Sequence, residues 1–288
     1  MTTTPPPLPN RQPILETVAA SYAALWEGRD DALRLAAFPA GLILALNLFI
    51  SWQLLPSASD PAATFDPTQP TGISPWFYPV SFLGLIPATL FACNWQRALL
   101  LGGEAAPGLG IRWGLRETKF LVWTILIALA MLLAALVVAI PVIAVFAVMG
   151  VVLGIVQGAP TSPGAMPSVP LIIAAGLPVV IAEIYVAIRL MLALPATALD
   201  GSDEFRLSWR LTRGNALRIF VAAVLGVIPF YVGAFVFEYL LAMAGLYALV
   251  PFTGTLLVVL VSMVLSAAGS TVLAMVYLRL GGPVPARV

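Results

Sequence analysis

Four arginines lie between residues 206 and 218 of a 288-residue chain in which only 9% of residues are charged. Guanidinium groups bind phosphate through charge-assisted hydrogen bonds, and tryptophan favours the lipid headgroup region. The cluster is therefore a candidate site for anionic phospholipid headgroups. Its predicted residues are Arg206, Trp209, Arg210, Arg213, Asn215 and Arg218. Two other interpretations stay open: the arginines fix the topology of the chain, or they dock a membrane or cytoplasmic protein partner.

The spacing within the cluster predicts a short helix with Arg206, Arg210 and Arg213 on one face, at i, i+4 and i+7. Gly214 is expected to end this helix in a left-handed conformation, and Asn215 to cap the next one. Fixing the topology does not require the arginines to share a face. The alignment therefore favours a bound ligand or partner.

A second candidate is Glu183, which lies deep in an apolar run. A carboxylate inside a bilayer is costly, and residues of this kind commonly serve function. One alternative is a small-molecule transporter or permease with a site near Glu183. The other is a structural hydrogen bond to Asn47 or Asn94.

Catalytic chemistry has little support in the composition. The chain has no histidine and a single cysteine, Cys93. A Ser-His-Asp triad, a Cys/His zinc site and an intramolecular disulfide are thereby excluded. We predict no catalytic residue, no metal site and no cofactor. The net charge of +1 argues against nucleic acid as a partner.

The elements that carry these residues follow from the composition, which is 61% hydrophobic. So apolar a chain needs lipid as its solvent. We predict an all-α, polytopic integral membrane helix bundle with about six transmembrane helices. The expected spans are about 35–55, 77–101, 120–157, 170–194, 219–244 and 254–280. Residues 120–157 are too many for one span. Pro141 is expected to kink this run. Alternatively, the run forms one span plus a re-entrant piece, or two spans.

The distribution of basic residues predicts the orientation. With six spans, the outer loops are about 56–76, 158–169 and 245–253, and they contain no lysine or arginine. Cytoplasmic loops are the ones enriched in basic residues. We therefore expect both termini in the cytoplasm, and three helical hairpins with Trp/Arg segments at the inner leaflet.

The remaining segments complete a single membrane domain over residues 12–283. Residues 1–11 are expected to be a disordered tail, and 284–288 a C-terminal tail. Residues 12–30 should form an amphipathic helix at the cytoplasmic interface, docked beneath the bundle. Its predicted apolar stripe is Ile14, Leu15, Val18, Tyr22, Leu25 and Trp26. In the last span, a stripe of small residues from Ser262 to Ala274 predicts close helix packing.

The motif Ser208-Trp209-x-Leu211-Thr212-x-Gly214-Asn215 resembles one in the membrane domain attached to some bacterial glycerophosphoryl diester phosphodiesterases. It is also similar to stand-alone six-span inner-membrane relatives of that domain. The resemblance is clearest from Tyr185 to about Phe220, and includes Arg189 and the segment "PATALDG". It implies that the spans lie in a bacterial inner membrane, and that the chain has a role near phospholipids or their breakdown products. The hydrolase of the fused relatives is a separate domain that uses histidines, so the resemblance implies no hydrolase activity for this chain.

Overall fold

The architecture comes from a computed structural model, which describes residues 13–58, 77–103, 108–157, 169–201, 203–244 and 253–285. All regular elements in these ranges are helices, and no strand occurs in them. They are α1 (Ile14–Glu27), α2 (Arg29–Ala58), α3 (Phe77–Leu83), α4 (Leu85–Leu101), α5 (Leu115–Gln157), α6 (Val169–Leu190), α7 (Ala193–Ala198), α8 (Glu204–Thr212), α9 (Ala216–Met243) and α10 (Thr253–Arg279). The predicted all-α class is confirmed. The predicted N-terminal tail lies outside the described residues.

Five helices are long and apolar enough to cross a membrane. These stretches are Arg29–Ile50, Leu115–Val145, Ala174–Ala198, Ala216–Met243 and Gly254–Arg279. In the most apolar part of each stretch, between 6% and 44% of the residues are buried inside the protein, which leaves the remainder for contact with lipid. The chain is therefore an integral membrane protein.

The second predicted span, 77–101, differs from the expectation of one continuous helix. It is divided at Gly84 into the short α3 and the 17-residue α4. Pro79 and Pro87 flank this break, and glycine and proline are the weakest helix formers. More than half of the α4 side chains are buried, including Trp95 and Gln96. Much of α4 thus packs against protein instead of lipid.

The long helices pair as predicted. The most closely packed pairs are α2 with α4, α5 with α6, and α9 with α10. Arg97 near the end of α4 and Arg116 at the start of α5 both contact Asp200, which follows α7. Arg189 at the end of α6 contacts α8, and Tyr277 near the end of α10 lines a cavity with α7 and α8. These helix ends therefore meet at one end of the bundle, which we call the basic end.

The long third run forms one helix. α5 has 43 residues, about 65 Å of length, and is continuous through Pro141. Neither a re-entrant piece nor a second span is present within it. The helix begins five residues earlier than predicted, where Glu117 Oε2 accepts the backbone N–H of Gly114 at 2.8 Å. This hydrogen bond satisfies a donor that the first turn leaves unpaired.

The N-terminal helix packs differently from its predicted apolar stripe. α1 lies against α9 and α10, and its buried residues are Thr17, Val18 and Ser21. Leu15 and Trp26, which belong to the predicted stripe, are exposed. The hydroxyls of Thr17 and Ser21 bond back to carbonyls one turn earlier, so these small polar residues can be buried.

Candidate functional site at the basic end

The arginine cluster occupies α8 and the turn that leads into α9. α8 ends at Thr212, and Arg213 follows with an extended backbone, φ −62° and ψ 122°. Gly214 has a φ of +78°, so the predicted left-handed residue is confirmed, although it lies two residues beyond the end of the helix. Asn215 precedes α9 and is buried, but its side chain makes no capping hydrogen bond, so that prediction is wrong.

The helical face of α8 carries two of the three predicted arginines. Arg206 and Arg210 are one turn apart and exposed. The prediction that Arg213 shares this helical face is wrong, because the helix ends before that residue. Arg213 is nevertheless exposed, and Arg218 lies half-buried in the first turn of α9.

The cluster differs in its pairing from three other arginines of the basic end. Arg97, Arg116 and Arg279 each form an ion pair with a carboxylate. Within the described ranges, the guanidinium groups of the cluster arginines form neither an ion pair nor a hydrogen bond. These arginines are Arg206, Arg210, Arg213 and Arg218. Four positive charges are therefore left without a carboxylate from the described protein.

A stack of side chains borders the cluster. The ring of Phe205 lies between Trp123 of α5 and Trp209 of α8, with centroids 6.4 and 6.1 Å apart. The Arg189 guanidinium continues the stack, 4.8 Å from the Trp209 ring and 5.2 Å from that of Tyr185. Phe205, Trp209 and Tyr185 each remain nearly half exposed. Exposed Trp and Tyr rings are typical of the membrane–water interface.

Arg189 holds α8 against α6. Its guanidinium lies 3.4 Å from both the carbonyl of Trp209 and the hydroxyl of Thr212, and its own carbonyl accepts a 2.7 Å hydrogen bond from Ser208. The sequence predicts Arg189 only as an interfacial residue. The sequence contains two pairs at a spacing of four residues, Tyr185–Arg189 and Phe205–Trp209, and each pair therefore shares a helix face. This spacing is the feature from which the stack could be predicted.

An ion-pair network that the sequence does not predict lies beside the cluster. Asp200 accepts two 2.7 Å hydrogen bonds from Arg116 and one of 3.4 Å from Arg97. Burial alone would raise the pKa of Asp200. The hydrogen bonds and charge of Arg116, with a smaller contribution from Arg97, outweigh it and hold this pKa below its ordinary value. The network joins α4, α5 and the segment after α7.

Replacing Asp200 by asparagine should make stability less dependent on pH. Because the folded-state pKa is depressed, the ionised carboxylate stabilises the fold above about pH 4 and loses this effect as the pH falls through the folded pKa. Asp200 is 55% exposed, so we expect only about 0.2–1 kcal/mol. Asparagine accepts the left-handed backbone of this position, φ 60°. Thermal unfolding of both proteins from pH 7 to pH 3 is the measurement. A gap that stays constant with pH would contradict the prediction.

Glu183 gains no partner from the residues around it. It is half-buried in α6, and among the described residues it makes no hydrogen bond or ion pair. The Asn94 amide donates to Leu90 and Gly110, and that of Asn47 donates to Ile43. The bonds from Glu183 to Asn47 or Asn94 that the sequence suggests are thus not formed. Glu183 lines neither of the two cavities described below.

The side chains of the site determine which ligands it can hold. In the described part of the chain, no three acidic or cysteine side chains lie close enough to share a metal ion. The arrangement can instead hold phosphate, through guanidinium groups that border an aromatic surface.

Comparison with protein-family models, with curated proteins and with solved structures finds nothing that matches this chain.

Proposed function

We propose that this chain is a non-catalytic protein of the bacterial inner membrane, a scaffold or accessory subunit, with its basic end at the inner leaflet and both termini in the cytoplasm. Its basic end binds anionic phospholipid headgroups through Arg206, Arg210, Arg213 and Arg218. The observation that carries the proposal is the absence of a carboxylate partner for these guanidiniums in the described residues, beside a half-exposed aromatic stack.

Electrostatics supports an anionic ligand. Arg206 and Arg210 are neighbours on one face, and their charges repel each other unless a counter-charge is present. A basic side chain near an anionic membrane surface contributes about 1 kcal/mol. Lipid phosphate is the counter-charge available at the depth that Trp209 and Tyr185 favour.

The same end would hold a protein partner. α8 packs against α6 and α7, so a subunit bound to α8 would lie beside the ends of both helices. The resemblance of this segment to the phosphodiesterase-associated membrane domain supports a role near phospholipids. It does so by association and not by mechanism.

The proposal is tested by replacing Arg206, Arg210 and Arg213 together with glutamine. Losing three favourable contacts of about 1 kcal/mol each should lower the retention of anionic lipid more than a hundredfold. The measurement is mass spectrometry of the lipids that co-purify after gentle detergent extraction.

The matched control is Arg29→Gln. Arg29 is exposed like the cluster arginines, but it lies 3.8 Å from a carboxylate oxygen of Asp30, so its replacement should leave the retained lipid unchanged. A tag fused after Val288 reports the orientation of each variant. Unchanged lipid in the triple variant, with the tag on the same side of the membrane as in wild type, would refute the proposal.

A further inference from the structure

A cavity lies at the basic end, beside α8. It has a volume of about 480 Å³ and opens between α7, α8 and the segment that follows α10. Leu199, Leu207 and Tyr277 form much of its wall, together with residues 283–285. Cavities of roughly 300–1,000 Å³ are those that bind small molecules in proteins.

The charged groups of this cavity are of both signs. Asp203 and Arg210 line it, and neither side chain forms an ion pair or hydrogen bond with any residue that the structure describes. Asp203 precedes α8 and Arg210 lies in its second turn, with about 9 Å of helical rise from Glu204 to Arg210, so a ligand has room between the two charges. Asp200 also lines the cavity, but Arg116 already neutralises it with two hydrogen bonds. One negative and one positive charge remain for a ligand.

We propose that this cavity binds an aminoethyl phosphate group, with its ammonium at Asp203 and its phosphate at Arg210. A simple anion would face the carboxylate of Asp203, and a simple cation would face the guanidinium of Arg210. A zwitterion satisfies both. The inference rests on the proposed function in two respects: it places the basic end at headgroup depth, and it uses Arg210 as a ligand for phosphate. The group can come from phosphatidylethanolamine in the membrane or from a soluble phosphodiester such as glycerophosphoethanolamine.

The first experiment is a calorimetric titration of the full chain in detergent micelles. Glycerophosphoethanolamine is compared with glycerophosphoethanol, which has the same singly charged phosphodiester and lacks only the ammonium. We expect the zwitterion to bind about tenfold more tightly, and Asp203→Asn to remove this preference, because one charge-assisted hydrogen bond is lost. Asparagine tolerates the φ of +62° at this position, so the variant should keep the fold.

The second experiment separates the two sources of the ligand. The chain is reconstituted in bilayers that contain equal amounts of phosphatidylethanolamine and phosphatidylcholine, and the lipids retained on extraction are counted. The choline nitrogen carries no hydrogen to donate to Asp203, so phosphatidylethanolamine should be enriched several-fold. Enrichment without binding of the soluble compound would assign the site to the lipid headgroup. Binding of the soluble compound alone would assign it to a free ligand.

A matched variant keeps this inference distinct from the proposed function. Arg206 is exposed and does not line the cavity, so Arg206→Gln should lower anionic lipid retention and leave the preference for the zwitterion unchanged. Asp203→Asn should do the reverse. The inference is overturned if neither experiment shows a preference for the ammonium-bearing ligand, or if Asp203→Asn retains that preference.

Discussion

Replacing Trp95 by alanine is expected to destabilise the folded chain by about 3–5 kcal/mol, as large-to-small changes of buried aromatic residues do. Trp95 is 1% exposed at the centre of α4. Its ring packs in a cluster with Leu35 and Phe91 and with Met263 of α10. Alanine would therefore leave a cavity at the contact between three helices, α2, α4 and α10.

Trp95 also supplies a polar link between helices. Its indole N–H lies 2.9 Å from Thr271 Oγ1 and 3.2 Å from the carbonyl of Ala267, both in α10. Thr271 keeps its own bond to that carbonyl, at 2.7 Å, if the indole is removed. Loss of the indole hydrogen bond alone should cost only about 0.6 kcal/mol, so packing is the larger part of the expected effect.

The measurement is the thermal or SDS-induced unfolding of purified protein in detergent, followed by circular dichroism. Trp95→Phe is the matched control, because phenylalanine keeps most of the ring volume and removes the donor. We expect it to lose a smaller part of the stability. Equal losses for the phenylalanine and alanine variants would show that the hydrogen bond, and not the packing, holds α4 in place.

The burial of Trp95 also shows where sequence reasoning ends. Composition was sufficient to predict the all-α membrane class and the regions of the long helices, because the solvent of a chain fixes its average polarity. Hydropathy does not distinguish a side chain that faces lipid from one that faces another helix. Residues 77–101 were therefore predicted as a span like the others, whereas α4 carries Gln96, 1% exposed, inside the bundle.

The candidate site was predictable in its local parts only. The types and spacing of the arginines and Trp209 indicate the cluster, and the position of Gly214 after the short arginine-bearing helix predicts its left-handed backbone. α8 ends one residue earlier than the spacing predicts, because Arg213, which precedes the positive φ of Gly214, already has an extended backbone. Asp200 was missed because its partners, Arg116 and Arg97, are 84 and 103 positions away along the chain. No local pattern reports a pairing at that separation.

Helix packing between α9 and α10 gives the second large expected effect. α9 approaches α10 closely at Gly226, where a Cβ atom would lie 2.5 Å from Cγ2 of Val272. Val272 is buried and branched at Cβ, so its side chain has little freedom to move aside. Val272 lies outside the stripe of small residues predicted on α10, and that stripe gives no indication that a small residue on α9 is needed at this contact.

Gly226→Ala should therefore destabilise the bundle by about 1–3 kcal/mol, the usual cost of an extra methyl group in a packed core. This cost acts against the intrinsic preference of helices for alanine over glycine, about 1 kcal/mol in the opposite direction. Gly233 is the matched control on the same helix, because a Cβ there meets no atom within 4 Å and Gly233→Ala should be neutral or stabilising.

A double variant identifies the contact itself. Val272→Ala removes the methyl groups that a Cβ at position 226 would meet, so Gly226→Ala should cost less in that background than in wild type. The free energies of unfolding of the two single variants and the double variant, measured in the same detergent, give the coupling between the positions. Additive losses would mean that α9 and α10 are not held apart by this pair of side chains. A favourable coupling would show that the side chains at positions 226 and 272 meet directly. Gly226 lies three residues before Pro229, which lines an apolar groove of about 380 Å³ between α9 and α10 together with Leu265.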